Sequence, residues 1–520
     1  MTTTGVRGRA LPVLPAGAPS GAPATSIVQA DGAAVRIITL GCDKNSVDSE
    51  RLLAGLVAAG AAPTGGDDAD VLVINTCGFI EAAREESIEV ILEALRLKRE
   101  GRVRAVAAVG CLVQRYRDEL RAELPDVDLF LGLTDTARLI PELRARGLLP
   151  AVPPVMERPL RMITTATPHT SWLKISEGCD HGCAFCAIPL MRGKHRSTSL
   201  DTLVAEAVQL ERAGVVELDL VSQDTTWYGR DLRRGGRSAS ADESYLGRPF
   251  AGMPGITEAD LLRSTPHGSP AKPGERRGML PELLHALLGV TSIPWLRLFY
   301  MYPSGIGRDL VELIASEPRI VDYLDMPIQH GSDRVLERMR RPERQATIRE
   351  RVRWLRDAIP DVALRTTVIV GFPGETDTDF DTLLELLEEI RFDHVGAFAY
   401  SIEEGTPAAT MPDPVPDALK RERLERVVEL QRSLADERTD ALIGTLDTIL
   451  VDRVAGRASR MDDGDAPAHG AVGRSYRQAL EIDGVVHLPD AGTVEPGQFV
   501  RVRYTDATDH DLEGAIVDQV

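Results

Sequence analysis

The sequence predicts a multidomain α/β protein with an open N-terminal α/β sheet, a central partial TIM-like (β/α)6 barrel and a small C-terminal β-barrel. Its 520 residues exceed what one hydrophobic core usually organises. Apolar strand-like runs alternate with helical patterns over most of the chain, which is typical of parallel sheets. Short β runs separated by turns fill residues 445–520, which is typical of a small closed barrel.

The N-terminal part divides into two stretches. Residues 1–34 are rich in Gly, Pro, Ala and Thr without an apolar period, so we expect a disordered extension. Residues 35–149 form the expected α/β domain, with helical patterns that begin near Ser46 and Ile80. Three apolar runs predict its strands: Val35–Leu40, Val71–Thr76 and Val103–Gly110.

One cysteine follows each of these three strands. Cys42, Cys77 and Cys111 stand just past the carboxyl ends of their strands, and ligands of open α/β sheets bind along that edge. A cysteine that only fills a core more often lies within a strand. We therefore predict that the three thiols converge on one site, with buried structural thiols as the alternative.

A second set of three cysteines, Cys179, Cys183 and Cys186, lies in one short loop with C-x3-C-x2-C spacing. Three thiolates hold three corners of a [4Fe–4S] cluster and leave one iron open to an outside ligand. A zinc site would need a second cysteine pair downstream, but no cysteine follows Cys186. The odd number of thiols disfavours disulfides, and His181 as a fourth ligand would strain the loop.

The other boundaries follow proline-rich or irregular stretches. We expect a linker at 150–169, the central domain at 170–411, a linker helix at 412–444 and the terminal barrel at 445–520. Residues 230–278 are rich in Gly, Ser, Pro and Arg, and we expect a flexible insertion there. Six central strands are predicted at Trp172–Ser176, Val216–Thr226 (with its exit loop), Trp295–Tyr300, Tyr323–His330, Ala363–Val370 and His394–Ser401.

The composition limits which binding partners and which cellular compartment are expected. Sixty basic residues stand against 79 acidic ones, which gives a net charge of −19. That charge argues against bulk affinity for nucleic acid and suits a basic protein partner. Six cysteines in a long chain favour metal ligation over a disulfide framework. Without a membrane-spanning apolar stretch or a secretory pattern, we expect a reducing cytoplasm.

The central cysteine loop, in which Phe185 precedes the last cysteine, resembles the signature of radical S-adenosylmethionine (SAM) enzymes. The resemblance implies a cluster whose open iron chelates SAM and whose electron cleaves it to a 5′-deoxyadenosyl radical. It also implies that Phe185 lies against the adenine, with simple loop packing as the alternative.

The N-terminal cysteine strings resemble the first domain of the methylthiotransferases within that superfamily. There, three cysteines hold a second [4Fe–4S] cluster that handles sulfur, and the chain ends in a TRAM domain. Asn45, Ser46 and Asn75 would then support the cluster, although turn and cap roles are the simpler interpretation. The strings that carry the resemblance are Leu40–Ser46, Asn75–Phe79 and Val109–Leu112.

The resemblance also implies SAM-binding residues at strand ends of the central barrel. Gln223 and Asp224 match by position the loop that holds the SAM amino group, with a strand-end turn as the alternative. Arg365 is a candidate partner of the SAM carboxylate, since a guanidinium binds a carboxylate bidentately. Gln329 and His330 lie where ribose or substrate would sit, and a structural role is the simpler one for the histidine.

Two branches of the family differ in substrate. One modifies an isopentenyladenosine in tRNA, and the other converts an aspartate of ribosomal protein S12 to 3-methylthioaspartate, using two SAM molecules, a sulfur donor and an electron donor. Residues 441–520 hold 7 Lys/Arg against 14 Asp/Glu, whereas a TRAM domain that grips tRNA should be basic. We therefore expect the S12 branch and no strong tRNA binding. The strings Val221–Gly229, Leu298–Pro303 and Met326–His330 resemble that branch. The alternatives are the tRNA enzyme and, in another class, a non-catalytic iron–sulfur redox module.

Overall fold

The computed structural model describes residues 9–10, 32–66, 69–154, 159–165, 167–232, 278–456, 467, 469–508 and 510–519. Most of the expected disordered extension, 1–34, lies outside the described residues, and so does the expected insertion, 230–278, except at its ends. Among the described helices, none combines the length and the hydropathy needed to span a bilayer.

The N-terminal elements form an open sheet covered by helices. They are β1 (Arg9–Ala10), β2 (Ala34–Thr39), α1 (Asp43–Ala58), β3 (Ala62–Pro63), β4 (Val71–Thr76), α2 (Glu81–Arg99), β5 (Ala105–Gly110), α3 (Cys111–Glu123), β6 (Leu129–Gly132) and α4 (Leu139–Ala145). The strand order is β1-β2-β4-β5-β6, with β3 also beside β2, and only β1 pairs antiparallel. Alternate residues of β4 enter two separate apolar cores, as expected for a parallel sheet buried on both faces.

Several details of this sheet differ from the sequence prediction. Arg9–Ala10, inside the expected disordered extension 1–34, form β1 and pair with β2, and the two-residue strand β3 was not predicted either. Helix α1 begins at Asp43 rather than near Ser46, because Cys42 is already in the extended N-cap conformation and Asp43 is an acid in the first turn, where the helix dipole favours it. Strand β6 was not predicted. Its four residues are too short a run to show a period.

The central elements form a six-stranded, all-parallel sheet in the order β14-β13-β12-β11-β10-β7. The chain runs through β7 (Thr170–Lys174), β8 (Ser176–Glu177), α5 (Ile188–Arg192), β9 (Arg196–Ser197), α6 (Leu200–Arg212), β10 (Glu217–Val221), α7 (Leu280–Val290), β11 (Trp295–Leu298), α8 (Arg308–Ser316), β12 (Ile320–Asp325), α9 (Asp333–Arg338), α10 (Gln345–Ala358), β13 (Ala363–Val370), α11 (Asp377–Ile390) and β14 (His394–Ala399). This partial barrel confirms the predicted fold class.

A long helix, α12 (Asp417–Leu442), leads to the terminal barrel. Its strands are β15 (Leu446–Val454), β16 (Ala471–Arg474), β17 (Val486–Leu488), β18 (Phe499–Ala507) and β19 (Leu512–Gln519). They close in the order β15-β16-β17-β19-β18, as the spacing of β runs and turns predicted.

Two other parts of the chain, α1 and the terminal barrel, pack against the concave face of the central sheet. Trp172 and Phe299 on this face pack in one apolar cluster with Val47 of α1 and with Leu450 and Ala479 of the terminal barrel. The opposite face packs against the helices in the largest core. The N-terminal sheet and the terminal barrel are therefore seated on the same half-barrel, and the carboxyl ends of its strands face the N-terminal cysteines.

Candidate iron–sulfur and SAM site

The N-terminal cysteines lie at the carboxyl edge of the first sheet, as their strand positions predicted. Cys42 is the N-cap of α1, Cys77 follows β4 and Cys111 begins α3. A Cβ on Gly41 would lie only 2.7 Å from the sulfur of Cys77, so the glycine permits this close approach. Burial raises the pKa of Cys111 to about 12; Arg192 opposes the rise, and the nearby Cys42 and Cys77 add to it. The three thiols therefore lie close enough to influence one another's ionisation.

Asn45 and Asn75 do not act as helix caps, since Cys42 is the N-cap of α1 and Asn75 lies in β4. Asn45 is fully buried in the first turn of α1, which has no side-chain cap bond. Its amide nitrogen donates to the carbonyl of Leu40 at 2.7 Å, and its amide oxygen lies 3.8 Å from the sulfur of Cys111. Asn75 donates to the carbonyl of Asn45 at 2.9 Å. The two amides therefore fix the backbone that surrounds the N-terminal cysteines.

The second cysteine set follows β8, near the carboxyl end of β7. The β8–β9 ribbon and a hydrogen bond from the Cys179 amide to the Gly193 carbonyl (3.0 Å) close the base of the loop. Burial, then the neighbouring Cys183 and Cys186, raises the pKa of Cys179 well above its usual range. Burial and Cys183 raise the pKa of Cys186 to about 12. These three sulfurs form a second compact set.

His181, within this loop, is held in place by side chains from other parts of the half-barrel. Its ring is stacked between Trp227 and Tyr302, with ring centroids 3.9 and 4.0 Å away, and its Nε2 lies 2.7 Å from the carboxylate of Asp224. The imidazole is therefore held by other side chains, in keeping with the rejection of a fourth-ligand role.

Two residues beside Cys183 were missed by sequence reasoning. The hydroxyl of Tyr302 lies 3.5 Å from the sulfur, and the guanidinium of Arg341 lies 3.9 Å from it. Arg341 also stacks on the Tyr302 ring at 3.8 Å. Tyr302 falls inside a string already noted, but Arg341 stands in a charged run that carries no local signal. Together they place a donor and a fixed positive charge against one candidate ligand.

Among the predicted SAM contacts, Gln223 stands out. Its amide nitrogen and oxygen are both shielded from solvent and have no hydrogen-bond partner within the protein. Buried amides are almost always paired, so this one points to a ligand. Asp224 differs, because its carboxylate already accepts bonds from Thr226 (2.6 Å) and contacts His181.

The other predicted residues are spread around the strand ends. Gln329, four residues after β12 and bridged to Val368 of β13, has a left-handed backbone (φ 69°), a strained conformation that is common at functional sites. Phe185 is half-buried against the apolar cluster of Phe372 and Tyr400. His330 is fully buried and accepts a hydrogen bond from the Ser332 amide at 2.9 Å.

Arg365 is already paired by carboxylates of the chain. Its guanidinium lies 2.9 Å from Asp325 of β12 and 3.4 Å from Asp483 of the terminal barrel. Burial opposes its charge, but Asp325, Tyr323 and Asp483 raise its pKa above the ordinary value. The proposed bond to a SAM carboxylate would have to compete with both acids.

The elements that carry the two cysteine sets come together where α5 packs against α3. Cys111, which begins α3, lies in one apolar cluster with Ala187, which directly follows Cys186, and with Met191 of α5.

The donor chemistry suits iron–sulfur clusters. All six cysteines are free of disulfides. Among the described residues, no three His, Cys, Asp or Glu side chains are close enough to ligate a single metal ion. A cubane cluster instead distributes its thiolate ligands over separate irons. The three thiols of the C-x3-C-x2-C loop are the donor set of a [4Fe–4S] cluster with one open iron.

Three known families match successive regions of the chain. The Radical SAM superfamily matches residues 173–387, the uncharacterized protein family UPF0004 matches residues 34–132, and the TRAM domain matches residues 443–517. The match covers the half-barrel and its three-cysteine loop, and it identifies the protein as a radical SAM enzyme.

Similar proteins identify the family within the radical SAM enzymes. "Ribosomal protein uS12 methylthiotransferase RimO" of Anaeromyxobacter sp. (strain K) is 44% identical over 484 residues, which covers 92% of each chain. The protein of the same name from Desulforudis audaxviator is 40% identical over 495 residues, covering 94% of this chain and 98% of the relative. The chain therefore belongs to the family of ribosomal protein uS12 methylthiotransferases, which are radical SAM enzymes.

Two solved structures that match the chain are more distant in sequence. The radical SAM methyltransferase TsrM from Kitasatospora setae is 13% identical, with 73% of this chain and 75% of that chain covered and a TM-score of 0.46. The cobalamin-dependent SAM radical enzyme OxsB is 10% identical, with coverage of 78% and 56% and a TM-score of 0.46. These similarities are too weak to assign any residue of the site.

Proposed function

We propose that this chain converts an aspartate of ribosomal protein uS12 to 3-methylthioaspartate, replacing one hydrogen on the β-carbon with a methylthio group. The observation that carries the proposal is the presence of two three-cysteine sets on elements that pack together, with Cys111 at the start of α3 in one apolar cluster with Met191 of α5. A SAM-cleaving module alone would need only the central set. The names of the relatives supply the protein substrate.

Each set has an assigned role in this proposal. Cys179, Cys183 and Cys186 hold one [4Fe–4S] cluster, and Cys42, Cys77 and Cys111 hold a second. When bound, the clusters and SAM supply an electron, a carbon-centred radical, a site for sulfur and the methyl group. An external electron donor and a sulfur donor complete the stoichiometry, in which two SAM molecules are consumed. A reducing cytoplasm would keep the six thiols available for iron.

The protein itself orients these groups. Tyr302 and Arg341 place a hydroxyl and a positive charge against Cys183, where a cluster with thiolate ligands carries negative charge. Gln223 offers an unpaired amide to SAM, while Gln329, Phe185, Asp224 and Arg365 border the same strand ends. His181 packs against the rings of Trp227 and Tyr302 beside the loop.

The test uses purified, cluster-reconstituted enzyme with SAM, a reductant, sulfide and uS12. The unchanged enzyme should form 5′-deoxyadenosine and add one methylthio group to uS12, read by intact-protein mass. Cys179→Ala should abolish both products. Cys77→Ala should still form 5′-deoxyadenosine but should leave uS12 unmodified.

Two results would contradict the assignment. Deoxyadenosine formation by Cys179→Ala would remove the central set from SAM cleavage. Methylthiolated uS12 from Cys77→Ala would remove the N-terminal set from sulfur attachment.

A further inference from the structure

A group of buried charges joins the N-terminal sheet to the half-barrel between the two cysteine sets. Helix α1 contributes Asp48, and the half-barrel contributes Lys174, Glu177 and Arg192. Their side chains are between 1% and 7% exposed. We call these four residues the seam network. It holds two carboxylates and two cations, so its formal charge is balanced.

The contacts of the seam network link Asp48 of α1 to the three residues of the half-barrel. Lys174 bonds to Asp48 of α1 and lies 2.7 Å from Glu177. Arg192 donates to Glu177 at 2.8 Å and reaches Asp48 at 3.3 Å. Each carboxylate therefore contacts both cations, and each cation contacts both carboxylates.

Both ends of the central cysteine loop are tied to this network. Glu177 stands two residues before Cys179, and Arg192 ends α5, six residues after Cys186. Gly193, which follows Arg192, accepts the hydrogen bond from the Cys179 amide. The network therefore links this loop to α1, while the β8–β9 pairing and the bond from the Cys179 amide to Gly193 close the base of the loop itself.

The network also reaches the N-terminal cysteine pocket. Arg192 donates to the side-chain oxygen of Asn45 at 2.5 Å, and that same oxygen lies 3.8 Å from the sulfur of Cys111. Asn45 in turn is fixed to the strand ends that precede Cys42 and Cys77, through the carbonyls of Leu40 and Thr76. One guanidinium therefore spans from the central loop to the N-terminal pocket.

Stability alone does not account for such an arrangement. Desolvation of buried charges offsets most of their attraction, and well-packed apolar residues often serve equally well. What a multiply bonded network adds is a single allowed geometry between its parts.

We propose that Asp48, Lys174, Glu177 and Arg192 are positioning residues that hold the two cysteine sets in one fixed relation. This inference rests on the proposed function, because it assumes that both sets serve one reaction. SAM cleavage depends on the central loop alone, whereas methylthio transfer depends on both sets and on their separation. Loosening the network therefore uncouples SAM consumption from product formation.

The same interface contains a matched control. Glu50, two residues after Asp48 on α1, forms a buried ion pair with Arg161, which also contacts Glu206 of α6. All three of these side chains are at most 3% exposed. This second cluster joins the N-terminal sheet to the half-barrel in the same way, but its described contacts do not include a cysteine or Asn45. Glu50→Gln therefore removes a comparable buried charge without touching the seam network.

The experiment compares reconstituted holoenzymes carrying Asp48→Asn, Arg192→Lys or Glu50→Gln, with SAM and uS12. For Asp48→Asn and Arg192→Lys we expect 5′-deoxyadenosine formation within about threefold of the unchanged enzyme and methylthio-uS12 reduced by about tenfold or more. Arg192→Lys keeps the charge but loses the forked donor that reaches Asn45 and Glu177 together. Glu50→Gln should keep the ratio of the two products, whatever its effect on thermal stability.

A spectroscopic readout keeps the test independent of uS12. The electron paramagnetic resonance spectrum of the reduced enzyme reports magnetic interaction between two nearby clusters. Asp48→Asn and Arg192→Lys should alter that interaction with iron content unchanged, and Glu50→Gln should not. Equal loss of both products, or the same uncoupling in Glu50→Gln, would overturn the positioning role. Failure of the unchanged enzyme to modify uS12 would overturn the proposed function instead, and the spectra would still decide the role of the network.

Discussion

Among the predicted SAM contacts, Gln223 is the residue whose environment most directly indicates a missing partner. Both atoms of its amide are buried without a hydrogen bond in the protein. Leaving a buried polar group unpaired costs free energy, so replacing it with an apolar residue of similar size is neutral or stabilising in the free protein.

Gln223→Leu should therefore weaken SAM binding by about tenfold, the equivalent of one lost hydrogen bond, without lowering the midpoint of thermal unfolding. Equilibrium binding of SAM to the reconstituted enzyme, beside thermal unfolding, measures both effects. Gln209→Leu is the control: its amide bonds to the backbone of Leu160 and Arg161 at 2.7 Å each, so that variant should lose stability and keep SAM affinity. Unchanged SAM affinity in Gln223→Leu would remove the residue from the SAM site.

Single residues also show which features of the site could not be predicted from the sequence. The six cysteines could be located from sequence because each lies at a strand end or in one short loop, so a local pattern reveals it. Arg192 could not be assigned, because it appears within a basic loop and its partner Asp48 lies 144 residues away. The spacing of residues does not indicate that these charges are buried together. The same holds for Arg365, whose partner Asp483 belongs to a separate β-barrel.

Among the elements, β15 connects the terminal barrel to the half-barrel through one buried acid. Asp452 accepts a hydrogen bond from Arg474 at 2.8 Å and lies 3.0 Å from the Nε2 of His169, just before β7. Burial opposes ionisation of Asp452, but Arg474 and then His169 lower its pKa from 3.8 to about 2. The folded protein therefore favours the charged carboxylate.

The sign of the pH dependence follows from that depressed pKa. The contribution of Asp452 to stability is fully present above the unfolded pKa of 3.8 and is lost as pH falls through about 2. Asp452→Asn should lower the free energy of unfolding at neutral pH by roughly 2 kcal/mol, and the difference from the unchanged protein should shrink as the pH falls below about 4. Urea unfolding across this pH range measures it.

Asp417→Asn serves as the control for that series. Lys420 lowers the pKa of Asp417 as well, but this carboxylate at the start of α12 is 80% exposed. Exposed pairs contribute little, so its removal should leave the unfolding profile nearly unchanged. A pH-independent effect of Asp452→Asn would contradict the ionic account of this contact.

Most elements of the fold followed from sequence, because alternating apolar runs and helical periods are local. The exceptions have physical reasons. Helix α1 starts earlier than its apolar period, since Cys42 and Asp43 form its polar first turn. The two-residue strands β8 and β9 pair only because the cysteine loop between them brings them together.

At the scale of the whole molecule, net charge bears on the choice of substrate. The chain carries −19, and its terminal barrel is acidic rather than basic. Binding to tRNA requires cations that neutralise phosphates, whereas a ribosomal protein that itself contacts RNA presents a basic surface. The acidic balance therefore favours uS12 over tRNA, in agreement with the family to which the chain belongs.

The measurement that tests this account most directly is the intact mass of uS12 from cells with and without the gene, beside nucleoside analysis of their tRNA. We predict that uS12 from cells lacking the gene is lighter by one methylthio group in place of hydrogen, while the tRNA nucleosides are unchanged. An unchanged mass of uS12, together with the disappearance of a methylthiolated adenosine from tRNA, would contradict it.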